Sequence, residues 1–374
     1  MDFDLDQTQR ELRDLAADLL GKEASRERLE AFEKSGDAYD TALWTALGQA
    51  GLLGAFLPED VGGAGLGAVE LTVLLREVGA RTAPVPAYAS LALAALPVAA
   101  HGTAGQQALL APLADGEAVF TGAFREAGPP GTVETTARPD GDGYVLDGVK
   151  TFVPYAAEAS RILVPARVEG VAGAGGAGVG VFLVEPDAVE IAPQPSATTE
   201  PLSRVVLDGV RVGADALLGG IADGAAWRTL RRSAVTGAVA LSSGAIEGAL
   251  NLTTEYVRTR EQFGRPLAQF QAVTMQVGDV YIAKRALDVA VWAGAWRFDR
   301  DAGDTDEVLA VAAYNACDPV VRALYTCQHL HGGLGLDVTY PLHRHFAWAK
   351  QAGHLLGGAE DQLDTLGALI SQEA

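Results

Sequence analysis

Two long helical patterns, Ala225 to Thr259 and Gln271 to Arg300, are separated only by the short stretch Arg260 to Phe270. The first is rich in Ala, Gly and Ser, so another helix can approach it closely. A third pattern, Thr305 to His331, opens on Asp304-Thr-Asp-Glu307, a capping-box-like start, and Gly332-Gly333 stops it. Pro341 opens a further helix, because proline favours a first helical turn. Gly357-Gly358 breaks that one before a last helix through Ile370. Four long helices in one segment predict a C-terminal bundle over 219–374.

The interruption carries the chemistry. It reads Arg258-Thr-Arg-Glu-Gln-Phe-Gly-Arg-Pro-Leu-Ala-Gln-Phe-Gln271. Arg260 offers a bidentate fork for phosphate oxygens; Gln262 offers a partner for a polar ring edge, and Phe263 a ring face. Such a turn suits an anionic, aromatic cofactor. The competing reading is a surface arginine with Phe263 and Phe270 tucked into the core.

Upstream, residues 1–115 read as an N-terminal helical domain. Gln7 to Leu20 and Thr41 to Leu53 carry apolar residues at three-and-four spacing, and Ala68 to Val78 and Ala87 to Ala111 resume it. Between them, Leu57-Pro-Glu-Asp-Val-Gly-Gly-Ala-Gly-Leu-Gly67 is a loop with close backbone approach, read as a helix connector in preference to a phosphate cradle. Over 116–218 the period changes to that of a small β-domain. Tyr144 to Val153 and Arg204 to Val212 are β-branched runs, each split by Asp-Gly, a hairpin signal. Val179 to Val184 is a further strand, and Gly170 to Gly180 a flexible surface loop.

The net charge of −20, from 28 basic and 48 acidic residues, argues against a nucleic-acid binder. No apolar run reaches the roughly 18 residues that span a bilayer. Met1-Asp-Phe-Asp-Leu-Asp is acidic where a signal peptide is basic. Cys317 and Cys327 fall in one predicted helix and form no disulfide framework, so a cytoplasmic protein is expected. His329, His331, His343, His345 and His354 cluster in sequence, but residues two apart do not share a helix face. No Glu or Cys stands at ligand spacing among them, so no metal site is expected. No P-loop, nucleophile elbow or GxGxxG following a strand is present.

The order of parts, with Leu57 to Gly67, Arg260-Glu-Gln-Phe-Gly-Arg-Pro-Leu267 with Phe270-Gln271, and Gly332-Gly-Leu-Gly335 followed by Tyr340-Pro341, resembles the acyl-CoA dehydrogenase family across nearly the whole chain. The resemblance implies an α+β fold: an N-terminal helical domain, a small central β-domain and a C-terminal four-helix bundle. It also implies FAD, shared at a subunit interface. Arg260, Gln262, Phe263, Leu267, Phe270, Gly332 and Gly333 would contact the pyrophosphate and adenine of a flavin held mainly by a neighbouring subunit. His329 stands where the family usually has glutamine.

Four departures from the family pattern are more informative. The family's Thr-Glu-Pro-x-x-Gly-Ser-Asp segment over the flavin ring reads Phe124-Arg-Glu-Ala-Gly-Pro-Pro-Gly131 here, without its hydroxyls. The aromatic-Ile-Thr-Asn segment reads Phe152-Val-Pro-Tyr155, and Pro154 has neither hydroxyl nor backbone N–H. The family reaction removes a proton alpha to a thioester and so needs a carboxylate. The family's base position maps to Leu356 in His354-Leu-Leu-Gly-Gly358, and its alternative position to Ala234. The family's Asp-x-x-Arg is also replaced, by Arg231-Arg232.

The expected function is therefore a non-catalytic subunit of an α2β2 acyl-CoA dehydrogenase, resembling those of actinobacterial steroid and bulky side-chain degradation. A catalytic partner subunit would bind most of the acyl-CoA, and an electron-transfer acceptor would take the electrons. The alternatives are a flavin monooxygenase or oxidase of the same fold, and a homotetrameric dehydrogenase with a relocated base such as Glu360.

Overall fold

The computed structural model describes residues 3–129, 131–171 and 178–373. The expected loop at 170–180 lies outside the described residues over 172–177. In chain order the helices are α1 Gln7–Glu23, α2 Arg26–Ser35, α3 Thr41–Gln49, α4 Ala68–Arg81, α5 Leu96–His101, α6 Ala104–Ala108 and α7 Ala111–Ala114. They continue as α8 Ala225–Thr259, α9 Gln271–Asp299, α10 Thr305–Cys317, α11 Pro319–His331, α12 Leu342–Leu355 and α13 Ala359–Glu373. The strands are β1 Phe120–Gly122, β2 Thr136–Asp140, β3 Gly143–Pro154, β4 Arg161–Val168, β5 Val179–Val184, β6 Glu190–Gln194 and β7 Leu202–Gly213, followed by the pair β8 Glu261–Gln262 and β9 Arg265–Pro266. The chain divides into two compact units.

The first unit comprises the described parts of Met1–Glu30, Ala68–Ala83 and Val235–Ala374 and is built from helices. α9 packs on α4, α10 and α11, and α10 meets α12 and α13. The small residues of α8 do what the sequence implies. A methyl added at Gly244 would overlap the Arg76 carbonyl of α4, and one at Gly248 would overlap the His345 ring. α4 takes its N-terminal cap from far along the chain: the Asp299 carboxylate accepts from Ala68 N at 2.6 Å and Val69 N at 3.0 Å.

The expected Thr305–His331 helix is two helices, α10 and α11. Pro319 has no N–H to continue the ladder and fits a first helical turn instead. Cys317 and Cys327 therefore sit in different helices, both as free thiols. Nor does Asp304 cap α10, because its carboxylate is taken by Arg297 Nε at 2.7 Å. α8 is long and apolar enough by composition to cross a membrane, but that stretch is mostly buried in the protein, as in a core helix.

The second unit, Ala31–Gly67 with Pro84–Ala234, carries a seven-stranded sheet in the order β1-β4-β2-β3-β7-β6, with β5 added on β4. Its core gathers Leu146, Val153, Ile162, Val164, Phe182, Val184, Val205 and Leu207. The Asp-Gly pairs make no hairpins. β3 and β7 run straight through them and pair with each other antiparallel, with a register shift between Leu146 and Gly148. The shift fits the local chemistry: Asp147 Oδ1 accepts from Gly209 N at 2.8 Å, with Gly209 at positive φ. The Ala87–Ala111 pattern is also broken, into a π-helical segment Tyr88–Ala95, α5 and α6.

Candidate cofactor site

In the first unit, the stretch after α8 folds into a minimal hairpin. Gln262 pairs with Arg265 and Glu261 with Pro266, leaving Phe263-Gly264 as a two-residue turn. Both turn residues have positive φ, 53° and 78°, which a tight primed turn requires. Glycine adopts that conformation freely, but phenylalanine carries a cost of about 1 kcal/mol. The result is a phenyl ring 93% exposed at the hairpin tip. Phe270 meets it edge-on at 6.3 Å, and the Arg265 guanidinium lies 4.0 Å over the Phe270 ring. The hairpin is tied back by Leu267 N donating to Arg260 O and Arg260 N to Tyr256 O, each at 2.8 Å.

Arg260 and Gln262 are exposed, and among the described residues neither side chain has a hydrogen-bond or ion-pair partner. Phe263 is thus an exposed aromatic in a costly conformation, beside a guanidinium and an amide that no other described residue engages. The reading that tucks Phe263 into the core is excluded by its exposure. Leu267 and Phe270, both half-buried, form the base of the hairpin.

His329 and the glycine turn lie at the end of α11. His329 is exposed. Gly332 has φ 60° and ψ −137°, a conformation that glycine adopts without strain. His331, between them, is buried and stacks on Tyr256 of α8 with ring centres 4.5 Å apart. That contact joins the root of the Arg260 hairpin to the root of the glycine turn. Beside the hairpin, α8 and α9 enclose an open groove of about 740 Å³ bearing Asn251, Thr254, Arg258, Thr274, Tyr281 and Lys284.

The second unit contains the segments expected to face the flavin ring. Pro154 is buried at the end of β3, and its carbonyl accepts from Thr121 Oγ1 at 2.6 Å. Tyr155, in a left-handed conformation, donates its N–H to Pro201 O and packs edge-on to Tyr39 at 6.0 Å. Glu126 is bound inward: its carboxylate accepts from Lys150 Nζ at 2.5 Å, Thr135 Oγ1 at 2.7 Å and Glu134 N at 2.6 Å. Burial pushes the Glu126 carboxyl up, but Lys150 and these hydrogen bonds outweigh it and hold it below its ordinary value. Burial lowers Lys150 to about 8. Glu126 and Lys150 are thus committed to each other. Ala234 is buried, and its carbonyl accepts from Tyr88 Oη at 3.2 Å.

In the first unit, Leu356 is also buried, and its carbonyl accepts from Gln362 Nε2 at 2.6 Å. No residue from Gly353 to Ala359 carries a carboxylate. The first acids after them, Glu360 and Asp361, lie in the opening turn of α13.

The sequence matches the acyl-CoA dehydrogenase N-terminal domain over residues 6–117 and the acyl-CoA dehydrogenase C-terminal domain over 228–370. It is 38% identical over 339 residues to acyl-CoA dehydrogenase FadE28 of Mycobacterium tuberculosis, covering 88% of this chain and 92% of that one. In fold it matches a chain of the Mycobacterium tuberculosis ChsE4–ChsE5 complex with a TM-score of 0.91, at 31% identity over 99% of both chains. It matches a chain of a Tcur3481–Tcur3483 steroid ACAD variant with a TM-score of 0.89, at 39% identity over 98% of both. The chain belongs to the acyl-CoA dehydrogenase family, whose cofactor is FAD.

The residues present fit that cofactor unequally. The exposed donors and ring of the Arg260 hairpin, with the glycine turn, suit an ADP moiety. The buried, hydroxyl-free Pro154 does not suit an isoalloxazine edge.

Proposed function

We propose that this chain is the non-catalytic subunit of an FAD-dependent acyl-CoA dehydrogenase, an oxidoreductase assembled with a catalytic partner as α2β2. The observation that carries this reading is the asymmetry between an open, uncommitted Arg260–Phe270 hairpin and a Pro154 segment packed into its own sheet. Arg260 would hold the pyrophosphate through its two-pronged guanidinium, Gln262 and His329 would bond the polar edges of the nucleotide, and Phe263 and Phe270 would cover the adenine face. When bound in the partner, FAD supplies the hydride acceptor for dehydrogenation. The alpha proton of the thioester needs a carboxylate within hydrogen-bond reach, and the base positions here hold Leu356 and Ala234. The partner would carry that glutamate and most of the acyl-CoA site, and an electron-transfer acceptor would reoxidise the complex. The likeness to ChsE4–ChsE5 and to a steroid ACAD supports a bulky, steroid-type acyl-CoA and a heteromeric assembly.

The test is a pair of substitutions in the assembled complex. Arg260→Ala should weaken FAD retention by about tenfold, the scale of one lost charge-assisted hydrogen bond. Pro154→Ala should leave it unchanged. The reverse pattern would place a flavin ring in this chain's own β-domain and sink the proposal.

A further inference from the structure

Two separate stretches carry the proposed ADP contacts, and one cluster around a buried imidazole lies at the root of both. His331 ends α11 immediately before the Gly332-Gly333 turn. Its ring stacks on Tyr256, 22° from parallel, and lies 5.2 Å from Tyr340. Tyr256 stands in the last turn of α8, and its carbonyl receives Arg260 N, the first residue of the hairpin region. Its hydroxyl donates to His331 O at 3.4 Å.

The hydrogen bonds fix the state of the imidazole. Nδ1 lies 2.7 Å from the Cys327 carbonyl, which can only accept, so Nδ1 carries a proton. Nε2 lies 3.2 Å from Tyr340 Oη, so in the neutral ring it accepts from that hydroxyl. Tyr340 closes the loop that Gly332 opens. Within that loop Asp337 Oδ1 accepts from Thr339 N and Thr339 Oγ1, each at 2.8 Å, and Arg26 Nη2 donates to Thr339 O at 2.8 Å. A side chain at Gly335 would overlap the Gln328 carbonyl, so the loop lies flat on α11. The loop is thus pinned at both ends to one imidazole, and that imidazole is pinned to α8.

We propose that His331 is a positioning residue: clamped between Tyr256 and Tyr340, it sets the glycine turn and the Arg260 hairpin in register as a single nucleotide-binding surface. It touches no cofactor itself, and it acts through the backbone of Gly332 and the end of α8. The proposal rests on the reading that this chain contacts the ADP half of FAD.

The experiment uses the deflavinated complex of this chain with its catalytic partner, titrated with FAD and with FMN, which lacks the adenylate. Three variants of this chain are compared: Arg260→Ala, His331→Leu and Tyr340→Phe. With one part-buried hydrogen bond removed, Tyr340→Phe should weaken FAD about threefold; His331→Leu, losing two bonds and the stack, should weaken it about tenfold or more. FMN affinity should stay unchanged, and the variants should still assemble with the partner. If His331→Leu does not assemble, Tyr340→Phe, which deletes a single hydroxyl, decides alone. Unchanged FAD affinity in the His331 and Tyr340 variants, with loss in Arg260→Ala, would overturn the clamp while keeping the ADP reading. Equal weakening of FAD and FMN would show a merely structural role and also overturn it. No effect from Arg260→Ala would remove the ADP reading itself, and the clamp with it.

Discussion

Lys150 Nζ lies 2.5 Å from Glu126 Oε1 inside the β-sheet unit, with only 1% and 6% of the two side chains exposed. A second short bond runs from the same ammonium to Pro165 O at 2.6 Å. Removing one member of such a pair leaves an uncompensated buried charge. Lys150→Met should therefore cost about 3–5 kcal/mol in urea unfolding. The double change Lys150→Met with Glu126→Gln should recover part of that loss, because no buried charge remains. A Lys150→Met cost below about 1 kcal/mol would mean that water reaches the pair.

The α4–α8 crossing makes a second prediction, in two directions. At Gly244 an added methyl overlaps the Arg76 backbone, so Gly244→Ala should destabilise by more than about 2 kcal/mol, as overpacking does. At Gly278, inside α9, nothing lies within 4 Å of an added methyl. Gly278→Ala should stabilise by about 0.5–1 kcal/mol through helix propensity alone. Thermal denaturation of the two variants reads both signs.

Acid should weaken the helical unit through His345. Burial, then the charges of Arg344, His343 and Arg81, lower this imidazole from 6.5 to about 4. Its Nδ1 has no hydrogen-bond partner among the described residues. The fold therefore favours the neutral ring. That contribution is complete above the unfolded value of 6.5 and is lost as pH falls from there towards about 4, to an extent of about 3 kcal/mol. The thermal midpoint of the wild type should fall more steeply over this window than that of His345→Gln. Parallel profiles would show that His345 does not titrate there.

Much of this architecture can be read from the chain. α8, α9 and β5 lie where periodicity puts them, because each is long or uniformly apolar and ends at Gly, Pro or a polar turn. What misleads is chemistry with two uses. Asp147-Gly148 and Asp208-Gly209 read as hairpin turns but serve as an irregularity between paired long strands, a choice made by the partner strand. Asp304 reads as a cap but bonds Arg297. α2 gives no periodic signal, because its residues are mostly charged and only Leu29 is buried. In the candidate site, the arginine, glutamine and aromatic side chains of the turn are visible in sequence. The His331 clamp is not, because its partners Tyr256 and Tyr340 come from distant stretches and sequence alone offers no signal that they stack.

Glu360 provides a check on the reading that relocates the base. It opens α13, where a carboxylate favours the helix dipole. Glu360→Gln should leave the dehydrogenase turnover of the complex within about twofold of wild type, whereas loss of a general base costs at least about a hundredfold. A loss on that larger scale would make Glu360 the base and this chain catalytic.

Whether this chain holds a flavin of its own is read from the flavin-to-chain ratio of the protein alone and with its partner, with dehydrogenation of a bulky acyl-CoA assayed on the same samples. Alone, it should hold essentially no FAD and show no turnover. Together, the complex should hold one FAD per pair of unlike chains and turn over. Full FAD occupancy with acyl-CoA dehydrogenation by the isolated chain would make it a self-sufficient dehydrogenase and not a non-catalytic subunit.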